Sequence, residues 1–500
     1  MGSAVLTAVE MRAAEEAAFA AGLTAEGLMD EAAAGLARRV AKFFPAPGLC
    51  VVFAGKGNNA GDAFAAAELL LARDWAIEWR LAFSEEELGE LARKKLTSLR
   101  AALAERATAR RRERLGATAP LVVLDGLLGV GATPPLREPV RTACRELNAL
   151  RREQAAYVFA IDLPSGLESD RGEADPDCVV ADVTVAIGLA KRGLLADGAL
   201  DLVGRIEVVT LAGVSAPTAD RDSVATAGSL RHLLGRRAFG AYKNQFGRVG
   251  VVAGSKGFTG AALLCSLGAL RGGAGLVQLF VLEELYDLIA ASAAPELMVK
   301  PIASYAHLAD EPIDIWAVGP GLGRAHAPEI LQLIAQIDKP MVLDADALNI
   351  LATDMTLLER SKSPRLLTPH PGEMQRLFPR DHVSRAEQAQ QFCATYPVTL
   401  LLKGSRTIVA EKSRPLSYNT TGNPGMATGG MGDVLTGVCA ALIGQKLSTF
   451  AAAQVGAWVC GRAAEIAVFG GDASEQSLLP SDVLANLGRA FKELHSSPDA

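Results

Sequence analysis

The sequence predicts an α/β protein of two domains, each built on a parallel sheet, and three observations carry that reading. Five hundred residues exceed what one ordinary hydrophobic core organises. Short β-rich runs alternate with helical patterns in two successive series. Between the series, residues 212–224 (AGVSAPTADRDSV) lose periodicity and collect small, polar and proline residues, as an interdomain linker does. The boundaries expected are residues 1–215, a linker at 216–224, and residues 225–500.

In the first half the expected strands are Leu49 to Ala54, Ala76 to Ala82, Leu121 to Leu124, Tyr157 to Ile161, Asp182 to Ile187 and Arg205 to Val209, preceded by one or two Ala-rich helices from Thr7 to Phe44. The charged stretch Ala107 to Leu115, with Arg110, Arg111 and Arg112, reads as a solvated helix end. The second series places strands at Arg248 to Ala253, Gly275 to Val281, Ile313 to Val318, Met341 to Leu343, Arg365 to Leu367, Val398 to Leu402 and Thr407 to Ala410, then a mainly helical stretch from Gly432. The halves share no repeated motif, so separate sites are expected.

Composition narrows the function. Lys+Arg (50) against Asp+Glu (56) leaves a formal charge of -6, without the basic excess of a nucleic-acid protein. The seven cysteines show no zinc or redox spacing and read as buried apolar residues in a reducing compartment. Glu10, Arg12, Glu15 and Glu16 interrupt the stretch a secretory signal would need, and no run approaches a membrane span. A cytoplasmic enzyme with small-molecule substrates is expected, with no nucleic acid and no membrane as partner.

Ligands of open α/β sheets bind beyond the carboxyl ends of the strands. After the first strand comes Gly55-Lys56-Gly57-Asn58-Asn59-Ala60-Gly61-Asp62, which fits the Rossmann-like G-x-G-x-x-A fingerprint, with Glu78 at the distance of a ribose contact. Two amides and a carboxylate are more polar equipment than a pyrophosphate needs. Alternatively, Asn58 fills a left-handed turn and Asp62 favours a helix N-terminus. Two further strand ends carry acids: Asp125, followed by Gly126-Leu127-Leu128-Gly129-Val130-Gly131, and Asp162, followed by Leu163-Pro164-Ser165-Gly166. Three polar strand ends with Gly-rich turns point to an assembled site.

This series, G-x-G-N-N-x-G-D, D-x-L-x-G-x-G and I-D-x-P-S-G, resembles the NAD(P)H-hydrate epimerase family. The resemblance implies potassium held by Asn59, Asp125 and Ser165. It places hydrated nicotinamide dinucleotide among Asn58, Asn59, Ala60, Gly61, Asp62, Gly129, Val130, Gly131, Ala132, Thr133, Pro134, Pro135 and Asp162. An all-oxygen ligand set suits a hard cation. Asp162 is the acid/base candidate, since interconverting epimers at a hydroxyl-bearing carbon requires proton transfer. Lys56, Ala60 and Ala63 depart from the family's usual Pro and Gly residues.

In the second half, residues 419–437 form a Gly-rich loop entering an apolar helix, with Gly432-Asp433 at its start. Free N–H groups and the positive helix end bind phosphate, and Asp433 is placed to take a proton from an attacking hydroxyl rather than to hold the anion. The plain alternative is an N-terminal acid favoured by the helix dipole. The arrangement resembles the ribokinase-like fold. The ordered segments Gly250 to Ala262, Gly319 to Gly323, Leu343 to Asn349, Thr368 to Met374 and Leu402 to Thr407 resemble the ADP- or ATP-dependent NAD(P)H-hydrate dehydratases.

That resemblance implies Ala261, Gly323, His370 and Asp433 at the hydrated cofactor, and Lys403, Gly404, Ser405, Arg406, Thr407 and Gly432 at ADP or ATP. His370 between two prolines has the alternative of ordering a turn, and Lys403 that of a solvated strand end. Asp344 and Asp346 either cap the next helix or hold Mg²⁺. Tyr242 stands where the family usually has His. The implied task is repair: one half interconverts the epimers of hydrated NADH and NADPH, and the other dehydrates the S form with ADP or ATP through a phosphorylated intermediate. The family also implies homo-oligomers. Rival readings are a vitamin kinase in the second half, a dehydrogenase on Gly55 to Gly61, or an interaction module in the first half.

Overall fold

The computed structural model describes residues 3–106, 119–218 and 220–496, so Arg110, Arg111 and Arg112 lie outside the described residues. Two compact units divide at residues 221 and 222.

In the first unit a six-stranded sheet runs in the order Ala76–Leu81, Leu49–Ala54, Leu121–Gly126, Tyr157–Ile161, Val183–Ile187, Arg205–Val209, every neighbour parallel. Its inner strands are almost wholly buried apolar runs (LCVVFA, YVFAI), as a parallel sheet covered on both faces requires. Chain order reverses between Leu49–Ala54 and Leu121–Gly126, which makes their carboxyl ends the switch point where ligands bind. The expected N-terminal helical stretch is two helices, Ala8–Ala20 and Ala25–Phe43. Two short strands unforeseen in the sequence, Ser3–Leu6 and Ala190–Lys191, pair in parallel.

The second unit's sheet runs Met298–Ile302, Leu276–Leu282, Arg248–Val252, Ile315–Val318, Met341–Leu343, Arg365–Leu367, Thr399–Leu402, Ile408–Glu411, Ser417–Asn419, Ser223–Ala225. The βα alternation produces parallel pairing up to Thr399–Leu402; Ile408–Glu411 and Ser417–Asn419 then turn back as antiparallel strands. Residues 223 and 224, expected in the linker, instead belong to a strand pairing with Ser417–Asn419. The helix Met431–Gly444 is buried along nearly its whole length against Thr259–Arg271. Glycines permit the approach: a Cβ on Gly437 would strike the Cys265 carbonyl, and one on Gly268 the Val434 carbonyl. Close packing therefore fixes where that helix starts, and its start is the second site.

Candidate functional site

At the first unit's switch point, Gly55 and Gly126 let two strand ends come together, because a Cβ on Gly55 would run into the Leu127 carbonyl. Asn59, in the first turn of the helix Asn58–Leu71, donates through Nδ2 to the Leu128 carbonyl (2.7 Å) and the Ile161 carbonyl (2.8 Å). Its Oδ1 lies 3.0 Å from where a Cβ on residue 129 would stand, which restricts that position to glycine. Asp125 is wholly buried and accepts the Ser165 hydroxyl (2.7 Å), the Ser165 N–H (2.8 Å) and the Leu127 N–H (3.2 Å). Ser165 in turn accepts the Leu128 N–H at 2.9 Å. Asn59, Asp125 and Ser165 thus meet in one network. All three donors to Asp125 are neutral, and burial pushes its carboxyl up to about 6. A buried carboxylate among amide, hydroxyl and carbonyl oxygens, with no ion pair to a described cation, is a donor set that fits a hard monovalent ion.

Asp162 occupies the left-handed region (φ 69), a conformation in which Asp is over-represented. Its Oδ1 accepts from the Ile187 N–H (3.1 Å) and from the Lys191 ammonium, which also donates to the Ile187 carbonyl at 2.7 Å. The Lys191 side chain is 1% exposed. Beside this pair, burial first, then repulsion from Asp162 and Glu15, pushes Asp62 up to about 8 against the pull of Lys191. Burial likewise raises Glu15. Asp62 is therefore more than a helix-dipole acid: it holds a proton at neutral pH. Ala60 and Gly61, expected at the substrate, face the interior; a Cβ on Gly61 would meet the Met29 thioether at 2.6 Å. Asn58 is exposed, and so are Gly131, Thr133 and Pro135 in the loop of residues 129–135.

In the second unit, Asp344 is buried at the end of Met341–Leu343, accepting the Lys403 ammonium (2.6 Å) and the Thr436 hydroxyl (2.8 Å). Burial alone would lower Lys403, but Asp344 and Glu373 (3.8 Å) outweigh it and hold the ammonium above its ordinary value. A Cβ on Gly432 would stand 3.2 Å from Lys403 Nζ and 3.5 Å from Asp344 Oδ2. Asp433 follows in the first turn of Met431–Gly444; burial, then repulsion from Asp344, pushes it up to about 6 against Lys403. Lys403 is thus a half-buried, ion-paired residue rather than a solvated strand end.

Asp344 is committed to Lys403 and Thr436, and Asp346 accepts the Gly323 N–H (2.8 Å), which ties down the Gly319 to Gly323 turn. Asp344 thus has both oxygens engaged, whereas Asp346 uses one oxygen, Oδ2, for this bond. Gly321 packs against Ala261, where a Cβ would come within 2.9 Å, so Ala261 and Gly323 border the same turn. His370 caps the helix Pro371–Leu377: its Nδ1 accepts from the Gly372 N–H (3.0 Å) and the Glu373 N–H (3.4 Å), and its side chain is 51% exposed. His370 therefore orders this turn, and its Nε2 lies 3.5 Å from Glu373 Oε1. Gly404 and Ser405 are exposed at the turn between two antiparallel strands and Thr407 is half-buried, but Arg406, expected at the nucleotide, is buried with φ 53.

Sequence reasoning missed Lys191, Glu373 and Thr436 as site members. Lys191 lies just past the strand Val183–Ile187, and applying the strand-end rule there would have found it.

Comparison with known proteins finds relatives of both halves of the chain. The NAD(P)H-hydrate dehydratase family matches residues 249–479, and the YjeF-related protein N-terminus matches residues 25–193. The bifunctional NAD(P)H-hydrate repair enzyme Nnr of Moorella thermoacetica is 34% identical over 470 residues, covering 89% of this chain and 87% of the relative. Its namesake from Escherichia coli (strain K12) is 33% identical over 496 residues, covering 96% and 92%. Among solved structures, an ADP/ATP-dependent NAD(P)H-hydrate dehydratase from Bacillus subtilis aligns at 30% identity and a TM-score of 0.48, covering 54% of this chain and 97% of that one. With a relative this similar along nearly the whole of both chains, the chain belongs to the family of bifunctional NAD(P)H-hydrate repair enzymes.

Proposed function

We propose that the first domain interconverts the R and S epimers of hydrated NADH and NADPH, and that the second dehydrates the S epimer with ADP or ATP. The observation that carries this reading is the contrast in carboxyl state between the domains: Asp62 up to about 8 beside the Asp162–Lys191 pair, and Asp433 at about 6 beside Lys403.

In the first domain, Asp162 moves the proton of the ring hydroxyl while Lys191 steadies its charge, and Asp62 serves as a second, protonated donor. A carboxyl raised to about 8 beside an ion-paired one divides acid and base work. Asn59, Asp125 and Ser165 would hold potassium, whose fixed charge supports the turns at residues 126–131 and 163–166 that border the substrate.

In the second domain, Asp433 takes the proton of the substrate hydroxyl as its oxygen attacks the terminal phosphorus. The phosphorus–oxygen bond to the nucleotide breaks, releasing ADP from ATP or AMP from ADP. The Gly425 to Gly432 backbone and Lys403 offset the charge that develops. The carbon–oxygen bond of the phosphate ester then breaks, driven by the ring-nitrogen electron pair, phosphate departs, and loss of a proton from the neighbouring ring carbon restores the reduced nicotinamide. Mg²⁺ would come with the nucleotide and neutralise its phosphates, with the second carboxylate oxygen of Asp346 available to it, while Asp344 is engaged by Lys403 and Thr436. Lys403, Gly404, Ser405, Thr407 and Gly432 form the nucleotide side, with Arg406 buttressing the turn from within. Ala261, Gly323 and the Nε2 edge of His370 form the substrate side. A cytoplasmic location and homo-oligomeric assembly belong to the same reading; among the described residues, no helix is long and apolar enough to cross a membrane.

The test follows absorbance at 340 nm, where reduced nicotinamide absorbs, while purified protein meets mixed NADPH-hydrate epimers with ADP, with ATP and without nucleotide. Nucleotide-dependent recovery of nearly all the absorbance is expected. No recovery with either nucleotide would overturn the reading and favour a vitamin kinase.

A further inference from the structure

A hydrated dinucleotide brings a pyrophosphate to the first site, where the Asp162–Lys191 pair offers it no net positive charge. The cation Lys191 is spent on Asp162 and the Ile187 carbonyl. Another positive group is needed where the loop of residues 129–135 opens, and the helix Ala8–Ala20 brings one. This helix precedes the segment matched to the YjeF-related family, which begins at residue 25.

The helix is fixed at its start. Leu6 pairs directly with Lys191 in the parallel strands Ser3–Leu6 and Ala190–Lys191. Thr7 and Glu10 cap each other's backbone N–H groups, the Ala8 N–H donates to Asp170 (2.7 Å), and Arg221 pairs with Glu10 (2.7 Å). Met11 is buried, its Cε 2.8 Å from where a Cβ on Gly188 would stand. These ties place the next turn. There an Arg12 Nη2 lies 3.7 Å from the Cβ position of Gly131, and Glu15, one turn on along the same face, interacts electrostatically with Arg12, Lys191 and Asp162. Arg12 is exposed, and among the described residues it makes no hydrogen bond or ion pair.

We propose that Arg12 is a binding residue of the first site, its guanidinium taking the substrate's pyrophosphate at the mouth of the Gly129 to Pro135 loop; this rests on the epimerase reading above. A planar fork of N–H donors matches phosphate oxygens in pairs, which a lysine cannot reproduce. Glu15 keeps the guanidinium on the site face of the helix when substrate is absent.

The test measures epimer interconversion by chromatography of the two hydrates with nucleotide omitted, so that the second domain is silent. For Arg12→Ala, KM rises about tenfold, as the loss of a charge-assisted hydrogen bond requires, while kcat stays within about twofold. Arg12→Lys recovers part of the loss. Raising salt from about 0.05 M to about 0.3 M raises the wild-type KM but hardly moves that of Arg12→Ala, because the screened attraction is already gone. An unchanged dehydratase rate in the same preparation reports an intact chain. If the wild type interconverts the epimers and Arg12→Ala matches it in KM and salt dependence, the inference is overturned. If the wild type itself does not interconvert them, the epimerase reading fails instead.

Discussion

Each domain pairs one lysine with one buried aspartate at the carboxyl edge of its sheet, and the two pairs stand differently to the chemistry. In the first domain the paired acid, Asp162, is the catalytic candidate, and its unpaired neighbour Asp62 is driven up to about 8. In the second, the paired acid Asp344 lies beneath the site, locked to Lys403 and Thr436, and the unpaired Asp433 is the candidate at about 6. The same device therefore yields a site that keeps a proton at neutral pH and a site that keeps a base. In each domain the raised carboxyl is the one that the lysine does not pair with.

The sharpest way to break this comparison is to remove each candidate acid. Asp433→Asn is expected to lower the dehydration rate by about 10²–10⁴-fold, the range of a lost general base, with interconversion intact. Lys191→Met leaves Asp162 buried without its cation, so it is expected to cost about 3–5 kcal/mol of stability as well as interconversion, measured by urea unfolding. The conservative Asp162→Asn keeps an acceptor for the Lys191 ammonium but not its counter-charge, so it should lose interconversion at a smaller stability cost than Lys191→Met.

A pH profile sharpens the contrast further. Asp433 works as a carboxylate, so dehydration falls as pH drops through about 6. The same raised value means that the folded chain binds this proton more tightly than the unfolded chain, so Asp433 favours folding below the ordinary carboxyl range and loses that effect as pH rises through about 6. Asp433→Asn is accordingly expected to raise Tm slightly at pH 8, by about 2 °C, with the gain vanishing in acid. The smallest effect concerns His370. Asn caps a helix as well as any residue, so His370→Asn keeps stability, whereas Ala costs about 1 kcal/mol. If Nε2 also meets substrate, both variants raise the dehydratase KM alike.

The strand ends were readable because apolar runs closed by Asp, Asn and Gly carry both the pattern and the punctuation of a parallel sheet. Asp125, Asp162, Asp344 and Lys403 all stand at such ends. Strands of two to five residues escaped: Ser3–Leu6, Ala190–Lys191 and Ser223–Ala225 are too short to show a period, and Met298–Ile302 exposes Lys300 and Pro301 as an edge strand does. Lys191 was lost with its strand. Which way Ala60 and Gly61 face was not legible, because a Gly-rich motif looks the same whether its small residues leave room for a ligand or, as at Gly61, for the Met29 side chain. Which carboxyl keeps its proton depends on three-dimensional burial, which no spacing encodes.

The most direct test of the two-site account gives mixed NADPH-hydrate epimers and ATP to the wild type, to Asp162→Asn and to Asp433→Asn, and reads 340 nm absorbance to completion. The account expects full recovery for the wild type, recovery that stops once the S epimer is consumed for Asp162→Asn, and none for Asp433→Asn. Recovery of the R epimer by Asp162→Asn at the wild-type rate would contradict it.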